Sequence, residues 1–113
     1  GVLVSDPSRA GQSVYLAGWG APSFELAVGY AQLNNVNTDV VGFTYSGKLS
    51  NTCNGDSGGP AYRSVGGRNG VVGITSSGTV ANCGDGDQSR FTNVQSDTVI
   101  NFIRTHAPEA AYL

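Results

Sequence analysis

The segment CNGDSGGPAY, from Cys53 to Tyr62, places one serine among glycines with an acid directly before it. A serine hydroxyl is a poor nucleophile, so an enzyme that uses it needs a base for its proton and fixed donors for the oxyanion. Backbone N–H groups can be those donors where glycine permits unusual φ and ψ values. The segment predicts nucleophilic chemistry at Ser57, although glycine-rich turns with Asp and Ser are also ordinary hairpin material.

The elements around this segment read as short strands joined by tight turns. Charged residues are 12% of the chain, against about 25% in typical domains. The residue pattern predicts strands in the segments SVYLAGWG, ELAVGYAQL, DVVGFTY, GVVGITSS and SRFTNV, and a further short strand, PAY, is expected after the glycine turn at Ser57. We therefore expect one all-β domain over residues 1–113, with glycines marking bulges or bends in the strands.

The chain end has a different pattern. In SDTVINFIRTHAPE, Ser96 or Asp97 can cap a helix, apolar residues recur at helical spacing, and Pro108 follows the stop. The prediction is a barrel over residues 1–95 followed by a terminal helix over residues 96–107 that packs on the sheets.

Charge and hydrophobicity exclude several classes of partner. The net charge is −2 and no basic cluster is present, so neither nucleic acid nor an anionic membrane surface is an expected partner. No apolar run is long enough for a spanning helix, and the start lacks a signal-peptide pattern. We expect a mature, truncated or excised chain.

Cys53 and Cys83 are the two cysteines of the chain. A metal pair is disfavoured because no second ligand pair accompanies them. A disulfide is the preferred interpretation, with two inert buried thiols as the alternative. A disulfide would place the protein outside the cell or in a periplasm.

Three motifs resemble a known family. The order GWG, CNGDSGGP and GVVGITSSG, with a second cysteine soon after, resembles the C-terminal half of a chymotrypsin/trypsin-like serine protease of family S1. The resemblance runs from about Val14 to the terminal helix. It implies a six-stranded antiparallel Greek-key barrel with a C-terminal α-helix, a polypeptide substrate, and neither cofactor nor metal.

The resemblance also implies roles for individual residues. Ser57 would be the nucleophile, and the N–H groups of Gly55 and Ser57 would form the oxyanion hole. Asp56 would pair with an N-terminus created by zymogen cleavage, which here would have to come from outside this chain. Cys53 and Cys83 would brace the specificity pocket. The matching substrate-binding positions are Asn51, Thr52 and Ser89 in that pocket, and Ser76, Ser77 and Gly78 along the edge that adds substrate as a strand.

The catalytic base is not predicted within this chain. The family's His and Asp precede the matched region, so a complementary N-terminal barrel is expected to supply them. His106 is expected at the end of the helix, where a solvated histidine interacts favourably with the negative end of the helix dipole. Solvated loop or cap positions are likewise predicted for the carboxylates of Asp39, Asp85, Asp87 and Asp97.

The family's specificity pocket has a residue at its base, and Asn51, which carries no charge, matches that position. A neutral, open pocket predicts a preference for large uncharged side chains such as Phe, Tyr or Leu. Gly78 has no side chain to block entry. If the Asp87 carboxylate pointed into the pocket, basic side chains would be preferred instead.

Two other functions remain open. Gly55-x-Ser57-x-Gly59 also satisfies the nucleophile-elbow pattern of α/β-hydrolases, although Pro60 and a short strand follow where a helix is required. A non-catalytic pseudoprotease that uses the pocket for binding is the second alternative.

Overall fold

The computed structural model describes residues 1–2, 5–21, 23–47, 49–53, 55–79 and 83–113. In these ranges the chain forms one curled antiparallel sheet with strand order β2-β1-β5-β6-β7-β4-β3, and one C-terminal helix. The elements are β1 (Ser13–Gly18), β2 (Ala27–Gln32), β3 (Asn35–Val36), β4 (Val40–Thr44), β5 (Pro60–Val65), β6 (Arg68–Ser77), β7 (Gln88–Asn93) and α1 (Asp97–His106). The predicted all-β class with a terminal helix is confirmed.

The prediction of six strands is wrong, because the described residues form seven. The additional strand, β3, is half of a tight hairpin with β4. The Asn37 side chain closes this hairpin, since its Oδ1 accepts from the N–H groups of Asp39 at 3.0 Å and Val40 at 2.9 Å. The count of six was implied by the family resemblance, and a strand of two residues is too short to show as an alternating pattern in the sequence.

Alternation along the strands builds the core. In β1, Val14 and Leu16 are buried, and the intervening Tyr15 is exposed. The rings of Phe43 and Phe91 meet across β4 and β7 with centroids 6.0 Å apart. The buried apolar residues that form this cluster are Val14, Leu16, Ala31, Leu33, Val41, Phe43, Ala61, Val72 and Phe91.

Strand glycines mark close approaches in this sheet. At Gly73 in β6, an added Cβ would lie 2.8 Å from the Cβ of Phe91, so a larger residue would collide with the core. The pairing register runs without a shift through Gly29 in β2 and Gly42 in β4. The irregularities fall instead between Ala61 and Tyr62 and between Thr75 and Ser77.

Helix α1 begins as predicted, with Ser96 as its N-cap. The Ser96 Oγ accepts from the Val99 N–H at 3.3 Å, which satisfies one of the unpaired donors of the first turn. None of the helix side chains is buried, although Val99, Ile100 and Ile103 are half-buried. Within the described ranges, no helix has the length and apolar character needed to cross a membrane.

An ion pair ties the N-terminal segment to the sheet. Arg63 in β5 is 4% exposed, and its Nη1 donates to Asp6 Oδ2 at 2.8 Å. The Asp6 carbonyl accepts from the Arg63 Nη2 and from the Gln95 Nε2. The Arg63 guanidinium lowers the pKa of Asp6 below its ordinary value of 3.8.

Candidate active site

Ser57 lies on an exposed turn between the Cys53 segment and β5. The Asp56 N–H donates to the Cys53 carbonyl at 3.0 Å, and the Gly59 N–H donates to the Asp56 carbonyl at 3.0 Å. Gly55 and Gly58 have φ of 97° and 85°, a region that side chains rarely adopt. These glycines are therefore required by the two successive turns that present Ser57.

The turn is anchored to the adjacent strand. The Gly58 N–H donates to the Thr75 carbonyl at 2.8 Å, and the Thr75 N–H donates to the Gly59 carbonyl at 2.8 Å. Within the part of the chain that the structure describes, the N–H groups of Gly55 and Ser57 donate no hydrogen bond. These are the two donors that the family resemblance assigns to an oxyanion hole, and that role stays a prediction.

The Asp56 carboxylate binds the backbone instead of facing Ser57 as a base. Its Oδ1 accepts from the Gly20 N–H and its Oδ2 from the Cys53 N–H, each at 2.8 Å. A Cβ on Gly20 would lie 2.6 Å from the Asp56 Cγ, and a Cβ on Gly18 would collide with the same carboxylate. The two glycines of the GWG motif therefore make room for Asp56.

The predicted partner of Asp56 was an N-terminal amine, and this pairing stays a prediction. Gly1 lies elsewhere, beside Ala111, and its carbonyl accepts from the Val71 N–H at 2.8 Å. Each oxygen of the Asp56 carboxylate already has one donor within this chain.

A disulfide joins Cys53 to Cys83, with their Cα atoms 5.5 Å apart. The bond connects the Ser57 turn to the segment that leads into β7. The predicted pairing of the two cysteines is confirmed.

Asn51 and Asp87 meet near this disulfide. The Asn51 Nδ2 donates to the Cys83 carbonyl at 2.9 Å and to Asp87 Oδ2 at 2.8 Å. Asp87 is 1% exposed, and its Oδ1 accepts from the Thr79 N–H at 2.7 Å. A Cβ on Gly78 would lie 2.8 Å from the same oxygen, so glycine is needed there to accommodate the carboxylate.

Ser89 and Thr52 complete the cluster. The Ser89 Oγ donates to the Asn51 Oδ1, and the Oγ atoms of Thr52 and Ser89 are 3.0 Å apart. Both side chains are buried. The structure therefore brings together the three predicted pocket residues and adds a fourth, Asp87. We call Asn51, Thr52, Asp87 and Ser89 the pocket floor.

The prediction of a solvated Asp87 is wrong. Asp87, Ser89 and Phe91 alternate with exposed residues along and just before β7, so they share its buried face. This period of two was visible in the sequence and would have placed Asp87 inside. Asp39, Asp85 and Asp97 are exposed, as predicted.

The predicted substrate edge lies at the end of β6. Ser76, Ser77 and Gly78 are exposed. Because β5 begins with Pro60 opposite Ile74, that strand does not extend alongside these three residues. Among the described residues no strand pairs with these three residues on the β5 side, and their role in binding substrate stays a prediction.

A family model described as Trypsin matches residues 3–103. The chain belongs to the trypsin family. None of the curated proteins compared with the chain matches it. Membership places this trypsin-family chain in the general class of serine proteases and implies a polypeptide substrate.

The trypsin-family assignment agrees with the element that comes directly after the Ser57 turn. An α/β-hydrolase elbow requires a helix after the serine, whereas this chain continues into β5 and its strands pair antiparallel. The hydrolase alternative is therefore excluded. His106 ends α1 as an exposed side chain whose ring packs on Phe102 with centroids 4.4 Å apart.

Proposed function

We propose that this chain carries the nucleophile, the oxyanion hole and the primary specificity pocket of a serine endopeptidase. The observation that supports it most directly is the turn at Ser57, which exposes the hydroxyl beside two N–H groups without partners among the described residues. Donors held in place before the reaction stabilise an oxyanion without reorganisation. Asp56 and the disulfide hold the turn from both sides.

The reaction proceeds through an acyl-enzyme. The Ser57 Oγ attacks the peptide carbonyl carbon while a histidine accepts the hydroxyl proton, and the oxyanion is bound by the N–H groups of Gly55 and Ser57. The C–N bond then breaks, and the histidine donates the proton to the leaving amine. Water hydrolyses the resulting ester and regenerates the serine.

The histidine and its orienting aspartate come from a complementary N-terminal barrel. His106 does not fill this role in the proposal, because its ring packs on Phe102 at the end of α1. The chain alone is therefore expected to have essentially no turnover. The disulfide and the family are consistent with a secreted or periplasmic protein.

Reconstitution tests the proposal. The chain is combined with a trypsin-family N-terminal barrel that carries the histidine and aspartate, and peptide hydrolysis is measured. We expect turnover with the barrel, and a loss of at least about 10³-fold in kcat for Ser57→Ala. Ser64→Ala, at an exposed serine in β5, is the matched control. Turnover by the chain alone that His106→Ala abolishes would contradict the two-barrel mechanism.

A non-catalytic binding module is the second candidate. It is favoured by exposed apolar side chains on β1 and β2, where Tyr15 pairs with Tyr30 and both are about half exposed. In the same experiment, stable association with the barrel but no turnover would support this alternative.

A further inference from the structure

The hydrogen atoms of the pocket floor point to a specific substrate chemistry. Resting on the proposed function, we infer that the side chains of this floor present acceptors and no donors, and that the floor selects substrate side chains that end in a hydrogen-bond donor. Peptides would be cleaved after Tyr in preference to Phe, and after Gln in preference to Glu.

The orientation of the Asn51 amide is determined by its neighbours. Its Nδ2 has two hydrogens, and they go to the Cys83 carbonyl and the Asp87 carboxylate. The opposite orientation would place the amide oxygen against two acceptors, which is repulsive. Both amide hydrogens are therefore used inside the protein.

The two hydroxyl hydrogens are used as well. Ser89 has one hydroxyl hydrogen, and it goes to the Asn51 Oδ1. The Thr52 and Ser89 hydroxyl oxygens are 3.0 Å apart, so Thr52 must donate the hydrogen bond between them and the Ser89 Oγ must accept it. The chain of donors thus runs from Thr52 through Ser89 to Asn51.

With these hydrogens used, the side chains of the floor can only accept further hydrogen bonds. A hydroxyl and an amide oxygen each have two lone pairs, so among the described contacts two are still open on Thr52 Oγ1 and one on Asn51 Oδ1. Asn51 is partly exposed and Thr52 is 9% exposed, whereas Asp87 and Ser89 are each 1% exposed. A substrate group that only accepts hydrogen bonds would face these lone pairs. A carboxylate would also be repelled by the Asp87 carboxylate, whose Oδ2 lies 2.8 Å from the Asn51 Nδ2.

The expected differences in kcat/KM between substrates depend on whether the polar group at the end of the substrate side chain finds a hydrogen-bond partner at the floor. A hydroxyl or amide N–H on the substrate gains a hydrogen bond, for which an advantage of about 5-fold for Tyr over Phe is expected. A substrate carboxylate that meets no side-chain donor loses its hydrogen bonds to water without replacement. This costs far more binding energy, so kcat/KM for Gln should exceed that for Glu by about 10²-fold or more.

A binding experiment on the chain tests this inference without requiring catalysis. Backbone amide NMR shifts are followed during titration with 4-methylphenol, toluene and 4-methylbenzoate. We expect 4-methylphenol to bind about 5-fold more tightly than toluene, with shifts at Thr52 and Ser89, and no saturable binding of 4-methylbenzoate. Equal binding of the phenol and the benzoate, or no saturable shift with any probe, would overturn the inference.

Thr52→Val provides the matched variant, because it keeps the shape and removes the hydroxyl. The phenol should then lose most of its advantage over toluene, whereas Thr44→Val, at an exposed position in β4, should leave the ratio unchanged. An unchanged ratio in folded Thr52→Val would contradict the donor chain.

The reconstituted enzyme separates this inference from the proposed function. Ser57-dependent hydrolysis that favours Glu over Gln would overturn the inference and leave the proposed function intact. Selective binding of the phenol with no hydrolysis in any reconstitution would support the inference and overturn the proposed function.

Discussion

The side chain of Asp56, next to Ser57, holds two separate turns of the chain together. The Asp56 carboxylate accepts from Gly20, which lies 36 residues away, and from Cys53 in its own turn. One residue thereby connects the turn after β1 to the turn that presents the serine. Asp56 is half-buried, so its two hydrogen bonds replace contacts with water.

Asp56→Asn should destabilise the fold by about 1–3 kcal/mol. An amide has only one oxygen, so one of the two N–H groups of Gly20 and Cys53 would face an NH₂ group. The measurement is urea unfolding, with Asp39→Asn at an exposed position as the control. Equal unfolding midpoints for the two variants would mean that the carboxylate is not needed to hold this turn.

At the scale of elements, the disulfide joins two segments that the sheet alone leaves apart. It ties the Ser57 turn before β5 to the segment before β7, although β5 and β7 are separated by β6 in the sheet. The sequence separation of its cysteines is 30 residues.

Replacing both cysteines by alanine should lower the free energy of unfolding by about 3–4 kcal/mol in the chain-entropy account. Urea unfolding of the double variant checks this value, with the wild type under non-reducing conditions as the reference. Thiol counting on the denatured, unreduced wild type provides the control. Finding two free thiols there would contradict the bond itself.

At the scale of the whole molecule, the Asp6–Arg63 pair connects the N-terminal segment, β5 and the residues before α1. Arg63 is nearly buried, and its Nε has no hydrogen-bond partner among the described residues. The Asp6 carboxylate is therefore the charged group that stabilises this guanidinium inside the fold.

This pair predicts a pH dependence of stability. Because the pKa of Asp6 is lowered in the folded state, its contribution is fully present above the ordinary value of 3.8 and is lost as the pH falls through the folded pKa. Asp6→Asn should be less stable than the wild type near neutral pH, and the two should converge in acid. Urea unfolding midpoints across pH measure this, with Glu109→Gln as an exposed control. A difference that is independent of pH would show that the charge is not responsible.

Much of the local structure could be predicted from the sequence. The residue pattern located five strands, the glycine turn at Ser57 indicated a sixth, β5, and Ser96 with the helical spacing after it located α1. The glycines around Ser57 predicted a turn with unusual backbone angles. All of these depend on contacts within a few residues, which the local pattern encodes.

Contacts between distant residues were decided by the tertiary structure. The sequence alone did not show that the Asp56 carboxylate would bind Gly20, or that Asp87 would lie against Asn51. Each pair is 36 residues apart, so its contact depends on how the sheet curls and which strands become neighbours. The family motifs predicted Ser57 as the nucleophile, whereas the hydrogen bonds that join Asn51 to Asp87 and to Ser89 became visible only in the folded chain.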